Sequence, residues 1–202
     1  GKMFNFIEEA ETYLNGNNVD IYAMDYIIYV LSKYYKYKDY DMHQCRIKIK
    51  NWMNRYNYYL NGDYMNDIIV DTYSSKIQLP ESIVSINESD IEAINNCVDK
   101  KQSKRVALWL VVYGKFQNLN SYDIRIRQMA KWVRIDKSHL YCRQLKELAD
   151  FDFIKINNFG YQKYLKNEKL FLISIQHNLI NEGQYKIEHN NEFDGLFHQI
   201  FG

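Results

Sequence analysis

One proline and eight scattered glycines leave long stretches of this 202-residue chain with nothing to stop a helix. Pro and Gly cost about 3 and about 1 kcal/mol per helical position relative to Ala. Helix is therefore the default wherever apolar residues recur three and four apart. Phe4, Ile7, Ala10, Tyr13 and Leu14 make the first such stripe, and Asn15-Gly16-Asn17-Asn18 ends it. Met24, Ile27, Ile28, Leu31 and Tyr35 make the second, behind a capping Asp20, and it runs out in the polar, aromatic turn from Tyr34 to Tyr40. Asp41 can cap a third helix with Cys45, Ile49, Trp52, Met53 and Tyr56 inward, and Asn61-Gly62-Asp63 separates it from a fourth on Tyr64, Ile68, Ile69 and Tyr73. These four predict a helical domain over 3–75. Residues 76–86 hold the only proline, Pro80, and read as a linker, part of which (Ile83-Val84-Ser85-Ile86) suits a strand.

From Asn87 the signals change. Asn87-Glu88-Ser89-Asp90 has the form of a capping box, opening a short helix on Ile91, Ile94 and Val98. A longer helix from about Lys101 is apolar on most sides (Val106, Leu108, Trp109, Leu110, Val112, Tyr113, Phe116) and is expected to be central. Asn118-Leu119-Asn120-Ser121 reads as a loop, followed by a helix on Ile126, Met129, Ala130 and Val133. Asp136 or Ser138 caps the next, which buries Tyr141, Leu145 and Leu148. After Ala149 the apolar period drops from 3.6 to 2, and Phe151, Phe153 and Ile154 or Ile156 predict a strand. A Lys- and Tyr-rich loop follows, then a second strand over Leu170–Ile175. The fold class expected is mainly α with a small β-hairpin. Helix, helix, helix, hairpin is the order of a winged helix, here over 87–176, with 177–202 as a tail.

The charge is as segmented as the pattern. Residues 101–170 carry fifteen Lys+Arg against six Asp+Glu, a formal +9 in a chain of net +1; residues 1–100 carry −5 and 171–202 carry −3. A basic segment between acidic ones is the footprint of a polyanion-binding module.

The run from Ile126 to Leu148 (IRQMAKWVRIDKSHLYCRQLKEL) resembles the helix-turn-helix of bacterial winged-helix proteins. In that family a helix ending in an aliphatic pair is followed by a polar turn and a helix ending Leu-x-x-Leu that runs into a strand. Ala149-Asp150-Phe151-Asp152 departs from the glycine often found there. The resemblance implies duplex DNA as partner. With Tyr141 at the centre of the buried face, steps of 100° put His139, Arg143 and Lys146 outside. Lys137 stands at the helix N-terminus. Arg143 suits a guanine edge, with His139 and Gln144 as secondary readers. Arg127, Lys131 and Arg134 suit phosphates. Tyr161, Lys163, Tyr164, Lys166 and Lys169 occupy the expected wing. More loosely, the Tyr-rich helical front and the Lys100–Val106 entry resemble uncharacterised proteins of phages and mobile elements from AT-rich Gram-positive bacteria.

Enzymatic chemistry finds no footing. Gly62, Gly114, Gly160 and Gly183 are isolated, so no phosphate loop forms. No zinc spacing occurs, and the His177, His189, His198, Glu188, Asp194 set is wrongly spaced for one helix face. No catalytic residue, metal or cofactor is expected. Cys45, Cys97 and Cys142 are odd in number and scattered, which predicts reduced thiols and a cytoplasmic setting. The acidic start, Met3 to Glu9, predicts no secretory leader, and no apolar run spans a membrane. Phe193, Leu196, Phe197, Ile200 and Phe201 form a terminal amphipathic stripe that packs on its own core or serves a homodimer or protein partner. The expected function is a DNA-binding transcriptional regulator or replication-associated factor of a phage or mobile element. The alternative is a non-enzymatic inhibitor that uses the same scaffold to bind a host or defence protein.

Overall fold

A computed structural model describes residues 6–76, 80–157 and 170–202, with Tyr141, Cys142 and Leu170 described by backbone alone. The protein is mainly helical with small antiparallel sheets, and the described residues fall into two compact units, 6–76 and 80–157 with 170–202.

The first unit is four helices, α1 (Phe6–Leu14), α2 (Met24–Tyr37), α3 (Met42–Tyr56) and α4 (Gly62–Ser74). Three side chains set starts here by satisfying backbone N–H groups left open at a helix end. Asp20 accepts from Tyr22 N–H in the 3-10 turn leading to α2, Asp41 and Gln44 form a reciprocal box on α3, and Asn61 accepts from Asp63 and Tyr64 N–H on α4. Helix α2 packs on the other three, and its Ile27, Ile28 and Leu31 meet Ala10, Cys45, Ile49, Ile68 and Ile69 in a sealed core. Burial pushes the Cys45 thiol up to about 11. Tyrosines rim this core with rings inside and hydroxyls donating to fixed acceptors: Tyr13 to the buried Glu9 carboxylate at 2.6 Å, Tyr73 to the Tyr40 carbonyl at 2.8 Å.

The second unit runs β1 (Val84–Ile86), α5 (Glu88–Cys97), α6 (Lys101–Gln117), β2 (Ser121–Arg125) and α7 (Ile126–Val133). One continuous helical stretch follows: α8 (Lys137–His139), a π-helical middle (Leu140–Leu145) and α9 (Lys146–Asp150). Then come β3 (Ile154–Asn157), β4 (Leu170–Ile175), β5 (Tyr185–Ile187) and α10 (Phe193–Phe201). Strands β2, β4 and β3 form an antiparallel sheet with β4 in the middle; Ser121 faces Ser174 on one side and Ile154 faces Ile175 on the other. Strands β1 and β5 pair separately, Val84 opposite Ile187. Helix α6 is the axis of the unit: Val106 to Val112 are all without solvent exposure, and β1, β2, β4, α5, α7, α9 and α10 all pack on it.

Three expectations need correction. Residues 121–125, where the pattern suggests the end of a loop and the approach to a helix, form β2. Only Tyr122 and Ile124 alternate there, too short a pattern to announce a strand. Phe151 does not begin β3; it is 59% exposed in a turn, where Asp152 takes the left-handed conformation at φ 60° that a glycine would more readily supply. Residues 76–86 are not all linker, because β1 belongs to the second unit through β5. That pairing brings chain so close that a Cβ on Gly183 would stand 2.1 Å from the Ile86 carbonyl oxygen.

A buried polar centre joins these elements. The Asp90 carboxylate completes the α5 capping box by accepting from Asn87 N–H. It pairs with Lys115 Nζ on α6 at 2.5 Å and meets His177 Nε2, beyond β4, at 2.8 Å. Lys115 also donates to the Ser85 carbonyl of β1 at 2.7 Å. Burial lowers the Lys115 ammonium below the usual lysine range even with Asp90 beside it. Lys115→Met would leave Asp90 charged and sealed, so urea denaturation should show a loss of about 3–5 kcal/mol. Adding Asp90→Asn should recover most of it. A single variant as stable as the wild type would remove the centre from this role.

Candidate nucleic-acid interface

Helix α7 turns Ile126, Met129 and Val133 inward and leaves Arg127 and Lys131, four apart, exposed. It ends at Arg134, whose backbone is left-handed at φ 57°. The chain then re-enters helix at Asp136. Its carboxylate accepts from Ser138 N–H at 3.0 Å and from Ser138 Oγ at 2.5 Å. Those two hydrogen bonds, the hydroxyl's first, hold the Asp136 carboxyl below the usual range.

The stretch from 137 to 150 and the end of α7 are both held to α6. Ser103 Oγ donates to Glu147 Oε2 at 2.7 Å, and Arg105 Nε donates to the Val133 carbonyl at 2.7 Å. The middle of this stretch, Leu140–Leu145, is π-helical. Its i→i+5 repeat puts residues five apart on one face, so Leu140 and Leu145 are both without exposure, with Leu148 following. Lys137, His139, Arg143 and Lys146 are exposed. Gln144, expected as a base reader, is instead turned inward, half-buried with its Oε1 sealed away from any partner. At 100° per residue Gln144 stands about 60° from Tyr141, on the buried side, so its residue type and not its place on the wheel made it a candidate. The side chain of Tyr141, on which that wheel was centred, lies outside the described residues, as do Tyr161, Lys163, Tyr164, Lys166 and Lys169 of the expected wing.

Several cations of the basic segment already hold a carboxylate partner. Lys115 is buried, and Lys146 pairs with Asp150 at 2.8 Å, whose carboxylate holds the ammonium above the usual lysine range. Arg105 and Arg134 converge on one carboxylate from the tail: Arg105 Nη2 on Asp194 Oδ1, and Arg134 Nη1 on Oδ2 at 2.8 Å. The Arg105 guanidinium also stacks over Phe193 and Phe197, 5.0 and 5.5 Å from their ring centres. Arg127, Lys131, Lys137, Arg143 and Lys155 of β3 stand exposed. Lys155 belongs to the same basic segment but was not among the expected contacts, since its strand gave no cue to the face it lies on.

The tail takes the first of its two expected places. Phe193, Leu196 and Phe197 are buried against the unit's own core, and the partly buried Ile200 and Phe201 pack on its edge. Among the described residues no group of His, Cys, Asp or Glu could hold a metal ion, and no helix is long and apolar enough to cross a membrane. No protein-family model, curated protein or solved structure matches the chain.

Asp194 generates a pH signature. The Arg105 hydrogen bond, aided by the charges of Arg105 and Arg134, keeps its carboxyl below the usual range. A depressed carboxyl stabilises the fold above its unfolded pKa of about 3.9, and that contribution fades as pH falls through the folded value. With the side chain 38% exposed, solvent screening limits the Asp194→Asn loss to about 1 kcal/mol at pH 7. Urea denaturation curves of the two proteins should converge as pH falls from about 5 to about 2. A gap that persists at the acid end would place the effect elsewhere.

Proposed function

We propose that the second unit is a winged-helix domain and that the protein binds duplex DNA without catalysis, as a transcriptional regulator or replication-associated factor of a phage or mobile element. The observation that carries the reading is the order α6, β2, α7, the 137–150 helix and β3–β4, with β4 between β2 and β3. In a winged helix the first strand lies beside the third in this way, and the helix before the hairpin enters the major groove. The exposed Lys137, His139 and Arg143 lie on that helix, with Arg127 and Lys131 on the one before it. Phosphate contacts set affinity and base contacts set specificity. Arg143 is assigned the base, through a bidentate contact to guanine; Arg127, Lys131, Lys137 and Lys155 are assigned phosphates.

A salt series on a random duplex tests this. If about five phosphates are neutralised, log K should fall with log[salt] at a slope of about −4 to −5. A flat dependence, or no binding at about 50 mM salt, would rule the reading out and favour the protein-docking alternative.

Arg143→Ala and Lys131→Ala separate the two roles. On a site selected from random duplexes, the first should lose about 1–3 kcal/mol of discrimination. The second should weaken all sequences alike and make the slope shallower by about one. Equal losses on selected and random DNA for Arg143→Ala would show that this helix does not read bases.

A further inference from the structure

The end of the first unit where α2 stops and α3 starts is charged against its surroundings. Residues 33–50 hold six Lys+Arg and two Asp+Glu, a formal +4, while the rest of residues 1–100 carries −9. One of the two acids is already engaged: Asp41 accepts the Gln44 N–H at 2.7 Å. Lys36 turns inward and donates to the Tyr73 carbonyl at 2.8 Å and to that of Ser75. Three other lysines of the patch, Lys33, Lys38 and Lys48, lie over aromatic rings. Lys33 Nζ is 4.8 Å from the centre of Phe6 and 5.2 Å from that of Tyr29. Lys38 Nζ sits 5.6 Å from Tyr34 and 5.8 Å from Tyr37, and Lys48 Nζ 5.4 Å from Tyr40. The rings brace one another edge to face: Phe6 with Tyr37 at 6.0 Å, Tyr34 with Tyr35 at 5.5 Å, Tyr35 with Tyr40 at 5.4 Å. Tyr37 remains 37% exposed.

We propose that this lysine and tyrosine end binds an unpaired nucleic-acid strand, bases stacking on Tyr34 and Tyr37 and phosphates lying along Lys33, Lys38 and Lys48. Single strands are held by cations that track the backbone and by rings on which bases stack. Lys38 lies near both Tyr34 and Tyr37, which suits a phosphate between two stacked bases. A duplex already stacks its own bases and would use only the charge. A lipid surface is matched by a stripe of exposed aliphatic side chains beside the cations; Ile47, next to Lys48, is a single one. The braced rings need little further ordering to receive a base, which lowers the entropic cost of binding.

Fluorescence anisotropy on the full chain, with a labelled oligothymidylate of about 20 nucleotides and a duplex of the same length, tests the proposal. Lys38→Glu and Tyr37→Ala should each weaken oligothymidylate about tenfold while duplex binding holds. Tyr37→Phe, which keeps the ring, should bind as the wild type does. Arg143→Ala should leave oligothymidylate unaffected. The proposal does not rest on the duplex reading: oligothymidylate binding with these responses supports it even where the duplex does not bind. A circular-dichroism melt checks that Tyr37→Ala is folded, and Lys38→Glu, on an exposed side chain, gives the answer if it is not. Oligothymidylate affinity that survives Lys38→Glu and every folded ring variant overturns the proposal. So does a Lys38-dependent affinity for phosphatidylserine vesicles with none for the oligonucleotide.

Discussion

The carboxylate of Asp90 is the point at which the second unit is tied together. It closes the N-terminus of α5, neutralises Lys115 in the middle of the core and holds His177 as the chain leaves β4. Since a carboxylate only accepts, the imidazole Nε2 that faces it carries the proton. Lys115 in turn reaches the carbonyl of Ser85 in β1. Desolvation outweighs the attraction of Asp90 in setting the Lys115 ammonium, so the pair adds little to stability over an apolar pair of the same shape. What it adds is uniqueness of arrangement. Sliding α5 along α6, or shifting β1 against β5, would strand a charge in a core whose neighbours, Ile86, Ile94 and Phe116, offer it nothing.

With α6 fixed, the 137–150 helix is fixed too. Ser103 and Arg105, on α6, hold Glu147 and the end of α7, while Leu140, Leu145 and Leu148 supply the burial. Keeping these leucines inward requires the π repeat, since residues 140 and 145 lie on different faces of an α-helix. His139 and Arg143 face outward all the same, as they do at 100° per residue from Tyr141.

How much of this was legible follows from the range of the physics involved. The helices of the first unit and their caps were readable because Asp41, Asn61 and Asn87 act on backbone groups two or three residues away. The central place of α6 was readable because a helix apolar on most sides has to be enclosed. Strand β2 was not, because its pairing partner β4 lies about fifty residues downstream and its own pattern is two residues deep. The inward turn of Gln144 was already in the pattern, since it stands about 60° from Tyr141 on a helix of 100° steps; the π repeat over Leu140–Leu145 was not, because it is set by what the helix packs on. The charge count was legible as a sum and misleading as a surface, since Lys115, Arg105 and Arg134 spend their charge on Asp90 and Asp194.

Asp194 connects the tail to the proposed duplex interface by competition. Arg134 follows the helix that carries Arg127 and Lys131, and its partner oxygen comes from α10. An exposed ion pair of this kind contributes about 0–1 kcal/mol, which leaves Arg134 able to exchange a carboxylate for a phosphate. Arg105 is different: it is mostly enclosed, stacked on Phe193 and Phe197 and bonded to the Val133 carbonyl, so it keeps Asp194 when Arg134 leaves. In the duplex-binding reading, α10 therefore stays docked while Arg134 is released. The tail then acts as a counter-charge that lowers non-specific affinity by the strength of one exposed pair, without needing to move.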